Sequence, residues 1–140
     1  MARRLYQELW NERRYEVADE LFHAEFAYAA VPGLRGGAAK VAAVRGYHAT
    51  FPDLRVAVEE LVAGADAVAA RVSLSGTDTG GLRGRPPTGR LMSAWTVDFL
   101  RFRDGRIIAD WVGADWLGIF VQLGVVPDPW RTGSGDAAVG

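Results

Sequence analysis

The chain of 140 residues has no cysteine, which excludes disulfides, thiolate nucleophiles and thiolate metal sites. It has only two histidines, His23 and His48, with no zinc-ligand spacing between them. No apolar run approaches the ~20 residues of a membrane helix. The start has no signal-peptide shape either, because Arg3-Arg4 leads straight into an amphipathic pattern. A cytoplasmic protein with no membrane partner is the expectation. Neither sign of charge dominates: 16 Lys and Arg stand against 17 Asp and Glu, and the arginines are scattered. That argues against nucleic-acid binding. Lysine is nearly missing, with Lys40 the only one. This reads as a codon bias towards G and C, without functional meaning.

What is present suits one globular domain with a real core, over residues 1–130. Residues 131–140 are small and polar and read as a flexible tail. The spacing of Leu5, Tyr6, Leu9 and Trp10 predicts a helix over 3–13, and a short second helix runs over 16–22. Residues 25–31 read as a short strand, and Pro32 to Gly37 as a loop. A third helix is expected over 38–50, ended by Phe51-Pro52-Asp53-Leu54. From there the pattern is β: a hairpin of 55–63 and 67–75, a Gly-, Pro- and Thr-rich lip over 76–90, and strands 91–103 and 106–112. The glycines of the lip match neither phosphate-loop nor dinucleotide patterns. Asp115 suits the N-cap of a last helix, 116–123, which Gly124 stops. Helices followed by an antiparallel sheet make the fold α+β. If that sheet curves around its helices, it forms a cone with a cavity at the mouth.

The last hairpin carries the chemistry. A two-residue turn at Asp104-Gly105 would set Asp98 opposite Trp111. A type I turn with a glycine bulge would set Asp98 opposite Asp110, and this register is preferred here. It gives an inner face of Thr96, Asp98, Leu100, Ile108, Asp110 and Val112. The outer face is then Trp95, Val97, Phe99, Ile107, Ala109 and Trp111. Two carboxylates in an apolar setting cannot both ionise cheaply, so the pair would offer an acid and a base together. The bland alternatives are a wet rim or an arginine partner such as Arg45 or Arg71.

Asp98 is the candidate general base, with Asp110 as its partner or acid. His48, on the apolar face of the third helix, and Asp115 are further catalytic candidates, weighed against a satisfied core histidine and a helix cap. His23 near a helix end more simply favours the helix dipole. Trp10, Tyr28, Tyr47, Met92, Val112 and Trp116 could line a site for a flat aromatic ligand. Trp95, Phe99 and Trp111 have nothing left in the chain to cover them and are assigned to a homodimer or higher homo-oligomer interface.

Several motifs then point to a family. Leu9-Trp10-Asn11, Ala49-Thr50-Phe51-Pro52-Asp53-Leu54, Gly76-Thr77-Asp78-Thr79-Gly80, Pro86-Pro87-Thr88-Gly89-Arg90, Phe102-Arg103-Asp104-Gly105-Arg106-Ile107 and Gln122-Leu123-Gly124 occur in that order. Together, over about residues 5–130, they resemble the SnoaL-like polyketide cyclases of the NTF2-like superfamily. The resemblance implies a cone-shaped α+β barrel, an oligomer, a deep cavity for an aromatic polyketide, and neither metal nor organic cofactor. It also implies ring closure by intramolecular aldol addition, using a cavity Asp on the last strand and a His on the strand before it. Here the His position matches Asp98 and the Asp position matches Val112. Because both residues are replaced, the expected activity is carboxylate-based deprotonation of an anthracycline-type polyketide, with cofactor-free hydroxylation preferred to cyclisation. A non-catalytic binding protein is the alternative of another class.

Overall fold

The computed structural model describes residues 1–131; the expected tail otherwise lies outside the described residues. The first helix forms where the Leu5–Trp10 spacing predicts it, but its pitch changes. Helix α1 (Ala2–Arg4) runs directly into a π-helical stretch, Leu5–Asn11. Wide turns of this kind are rare and cluster at functional sites. Here the stretch buries Leu5, Tyr6 and Leu9 and ends on a specific lock. The Asn11 amide donates to the Val56 carbonyl at 2.8 Å and accepts from the Val56 amide at 2.9 Å, acting as a strand partner for a sheet edge. A 3-10 turn (Tyr15–Val17) and α2 (Ala18–Leu21) make up the second helix.

The strand expected at 25–31 does not form. Phe22 makes one isolated parallel bridge to Ile107, and the chain beyond it turns away. Phe26 drops into the core, its ring centroid 4.7 Å from that of Phe22. The alternation of Phe26 and Tyr28 thus marks two anchors of a loop, without a second strand to pair with. Helix α3 (Gly36–Thr50) starts two residues earlier than expected and buries Ala39, Lys40, Val44 and His48 along one face.

Four strands follow: β1 (Arg55–Ala63), β2 (Ala67–Thr77), β3 (Leu91–Arg103) and β4 (Arg106–Ala114). They pair antiparallel in sequence order. Both outer strands carry a bulge, β1 at Glu59 and β4 at Ile108. Each bulge bends its strand and adds twist, and this curves the sheet around the helices. The β2–β3 segment, 78–90, is built around a buried carboxylate. Asp78 accepts from the Gly81 amide at 2.9 Å and from the Thr88 amide and hydroxyl at 3.1 and 2.9 Å. Helix α4 (Trp116–Gln122) docks back on β3, where the Gln122 side chain both accepts from and donates to the Ser93 backbone. It ends in a Schellman turn: Gly124 has φ +72° and the Val125 amide donates to the Phe120 carbonyl at 2.8 Å.

The hairpin register corrects both expectations. Asp104 (φ +51°) and Gly105 (φ +73°) form the two-residue turn, with Arg103 opposite Arg106 and Phe102 opposite Ile107. The bulge at Ile108 then shifts the pairing the other way, so Asp98 lies opposite Val112, and Leu100 opposite Asp110. The same-face placement of Asp98 and Asp110 survives, as diagonal neighbours. Ile107, expected outside, turns into the core because the bulge reverses the alternation below it.

Candidate active site

The concave face of the sheet and the helices enclose a mouth-open cavity of about 790 Å³, including solvent at its mouth. Its walls are apolar and aromatic. The six residues offered for ligand binding, Trp10, Tyr28, Tyr47, Met92, Val112 and Trp116, all lie in the lining of this cavity. Tyr47 stacks on Trp116 at 6.3 Å, joining α3 to α4 across the lining. Among the described residues of this lining, Asp98 is the one carboxylate and Lys40 the one cation.

Asp98 is 7% exposed. Its Oδ2 accepts from the Tyr6 hydroxyl at 2.7 Å, while Oδ1 is buried with no hydrogen-bond partner. Burial, and then the nearby charge of Asp110, holds the Asp98 carboxyl above the usual carboxylate range; the Tyr6 bond and Lys40 oppose the shift. A buried oxygen without a partner is costly in a native structure and marks a place where chemistry is expected. Tyr6 itself is pushed far up by burial and by the Asp98 charge, so it stays a neutral donor.

Asp110 is elsewhere in the arrangement. Its side chain is fully buried but does not line the cavity. Its Oδ2 accepts from Lys40 Nζ at 2.6 Å, and its Oδ1 has no partner. Burial works to lower the Lys40 pKa, but the Asp110 charge and hydrogen bond outweigh it and hold it above its ordinary value. Lys40 Nζ also sits 5.2 Å from the Tyr28 ring centroid and 5.7 Å from that of Trp10. Asp110 is therefore the counter-ion of a buried ammonium, where a shared proton with Asp98 was expected.

The other candidates fall outside the cavity. His48 is a satisfied core residue: Nδ1 meets the Tyr15 hydroxyl at 2.8 Å and Nε2 the Trp10 carbonyl at 2.9 Å. Burial lowers its pKa, which keeps it neutral. Asp115 caps α4, its Oδ1 accepting from the Gly118 amide at 2.9 Å. His23 lies near Glu25 and Asp104 at the far end of the hairpin. Among the described residues, no group of three His, Asp or Glu is placed to hold a metal ion.

Two residues of the site escaped the sequence reading. Tyr6 counted only as part of an apolar helix face, and nothing in its spacing singles out its hydroxyl. Lys40 did leave a signal. It lies four residues before Val44 and eight before His48, so it shares their inward face, where a lysine needs a partner.

A curved antiparallel sheet closed by N-terminal helices is the architecture of the NTF2-like superfamily. Within it, this chain belongs to the SnoaL-like polyketide cyclase family, whose family model matches residues 1–123. It is 33% identical over 136 residues to the aklanonic acid methyl ester cyclase DnrD of Streptomyces peucetius, covering 91% of this chain and 90% of that protein. Among solved structures it is similar to TsrD from Streptomyces laurentii (TM-score 0.78, 30% identity, 85% and 89% of the two chains). It is also similar to IdmH from Streptomyces antibioticus (TM-score 0.70, 31% identity, 86% and 93%). No helix among the described residues is long and apolar enough to cross a membrane. Asp98 and Val112, the positions that the motif resemblance sets against the cyclase His and Asp, form one cross-strand pair at the cavity.

Proposed function

We propose that this protein closes a ring in an anthracycline-type aromatic polyketide by intramolecular aldol addition, with Asp98 as the general base. The observation that carries the reading is the Asp98 carboxylate: buried at an aromatic cavity, one oxygen held by Tyr6 and the other unpartnered. The ionised Oδ1 takes a proton from the carbon between two activating groups of the substrate, and the C–H electron pair moves into an enolate. The enolate carbon attacks a second carbonyl of the same molecule, forming a C–C bond. The new alkoxide recovers the proton from Asp98. The product is an isomer of the substrate, and the base is regenerated without any co-reactant. Similarity to a cyclase acting on aklanonic acid methyl ester supports ring closure and makes that ester the first substrate to try.

The preference for hydroxylation rested on the lost His and Asp at 98 and 112. The buried Lys40–Asp110 pair beside Asp98 weakens that argument, since the cavity has its own charge arrangement in their place. The test is incubation with aklanonic acid methyl ester, with and without air, followed by product mass. A ring-closed isomer formed equally in both conditions is expected. A product heavier by one oxygen atom and dependent on air would replace cyclisation by hydroxylation. Tight binding without conversion would favour a binding protein.

A further inference from the structure

We propose that Lys40 is a catalytic cation of this site: its ammonium binds the oxygen on which negative charge develops, so the cavity takes acidic phenols and β-dicarbonyls in their anionic form. The proposal deepens the ring-closure reading, because it names the group that receives the charge Asp98 creates.

The geometry begins with Asp110. Its side chain is fully buried and gives one oxygen to Lys40 Nζ at 2.6 Å. That single bond uses one of the three ammonium donors. Lys40 is 3% exposed, yet it lines the same cavity as Asp98, and its ammonium stands within 6 Å of the ring centroids of two other lining residues, Trp10 and Tyr28. A salt bridge serving stability alone would be better replaced by apolar side chains, since desolvating two ions offsets most of their attraction. A salt bridge with one partner hidden and the other facing a ligand cavity presents a fixed positive end there. In an apolar cavity such a preorganised charge acts at low dielectric and needs no reorganisation when charge appears. Removing a proton from carbon moves a full charge onto the substrate oxygen, and Lys40 is the cation among the described lining residues. Asp98, with an unpartnered Oδ1, and Lys40, with donors that Asp110 does not use, line the same cavity, so one can take the proton while the other receives the charge. Lys40 donates a hydrogen bond only, so no proton leaves it.

The groups that bear on the ionisation of a ligand here are Tyr6 from the first helix, Tyr28 from the loop before α3, Tyr47 from α3, Asp98 from β3 and Asp110 from β4, with Arg83 of the 78–90 segment acting on Tyr47. The experiment follows binding of a hydroxyanthraquinone whose phenolate absorbs at longer wavelength than its phenol. It is titrated with pH free, on the wild type, on Asp98→Asn and on the double variant Lys40→Met/Asp110→Leu. The double variant removes both members of the buried pair together, so neither is left without its counter-ion. Wild type and Asp98→Asn are expected to bind the phenolate, lowering the apparent pKa of the dye by about one unit, a tenfold preference. In the double variant the shift should vanish or reverse, since an apolar cavity favours the neutral phenol. A dye bound as neutral phenol by the wild type, or not bound at all at millimolar concentration, overturns the proposal. So does a folded double variant that ionises the dye as the wild type does. If the double variant does not fold, the wild-type and Asp98→Asn titrations still decide. Asp98→Asn keeps Lys40 but has no base, so phenolate binding that persists while turnover is lost separates this proposal from the ring-closure reading.

Discussion

The two faces of the β3–β4 hairpin invert the usual rule. The convex face carries Trp95, Phe99 and Trp111, and Trp95 and Trp111 are 55% and 57% exposed. The concave face carries Asp98 and Asp110, which meet Tyr6 and Lys40 out of water. Apolar side chains outside and charges inside are each the informative exception to ordinary burial. The difference lies in what each face lacks. The buried charges have partners within the chain except for one oxygen on each carboxylate, and one of the two residues, Asp98, lines the cavity. The exposed rings have mainly each other, as in the Phe99–Trp111 contact at 5.9 Å. One face borders a cavity, and the other leaves apolar rings uncovered among the described residues.

The comparison breaks most visibly at Asp98. Asp98→Asn is expected to lower turnover by about 10²–10⁴, the usual worth of a general base. It should do so while stabilising the protein. The native pKa is raised, so the native state binds its proton more tightly than the unfolded chain does. Stability is therefore lost as pH rises from the ordinary carboxylate range through the higher native value. Asparagine removes that loss, so its melting-temperature advantage should appear at neutral pH and vanish in acid below both values. A variant that is both fully active and no more stable would remove Asp98 from the site. Turnover by the wild type should fall in acid with a midpoint above the ordinary Asp value of about 3.9. Tyr6→Phe deletes the bond that favours the ionised form, so it should move that midpoint upward.

The charged face can be tested next at its counter-ion. Lys40→Met alone strands a fully buried carboxylate and should cost about 3–5 kcal/mol, read from chemical denaturation. Adding Asp110→Leu should return most of it. A double variant as unstable as the single would mean that packing around Lys40, rather than charge, is what the pair provides. On the convex face the expectation is that a second copy of this chain covers the rings. Light scattering at micromolar concentration should then show a homodimer or larger species, and Trp111→Glu should dissociate it. A monomeric wild type would leave that face without the partner assigned to it.

How much of this was legible from sequence follows the same division. Most helix and strand spans and the outer placement of Trp95, Val97, Phe99 and Trp111 follow from periodicity, because each depends on which side of an element a residue occupies. The register was not legible. A glycine bulge at the turn and a bulge at Ile108 move the pairing in opposite directions, and the local sequence around Asp104-Gly105 admits a turn with or without the glycine bulge. Two residues of slip along β4 decided whether Asp98 met Asp110 or Val112. The strand expected at 25–31 failed because pairing is non-local, and the one bridge to β4 falls at Phe22, ahead of that segment. The partners Tyr6 and Lys40 lie 92 and 70 residues from Asp98 and Asp110, and no local pattern reports such a contact.

The smallest expected effect separates a cap from a catalyst. Asp115 lies one residue from cavity-lining Trp116 and was a catalytic candidate, yet its carboxylate is turned to the Gly118 amide. Asparagine caps a helix as well as aspartate does, whereas alanine cannot accept that bond. Asp115→Asn should therefore keep both stability and turnover. Asp115→Ala should cost about 1 kcal/mol, with any loss of activity appearing in KM, because fraying α4 loosens Trp116 against Tyr47 without touching the base. If Asp115→Asn instead lost turnover with its melting temperature unchanged, the charge at 115 would be needed for chemistry. The site would then extend from the buried pair to the mouth of the cavity.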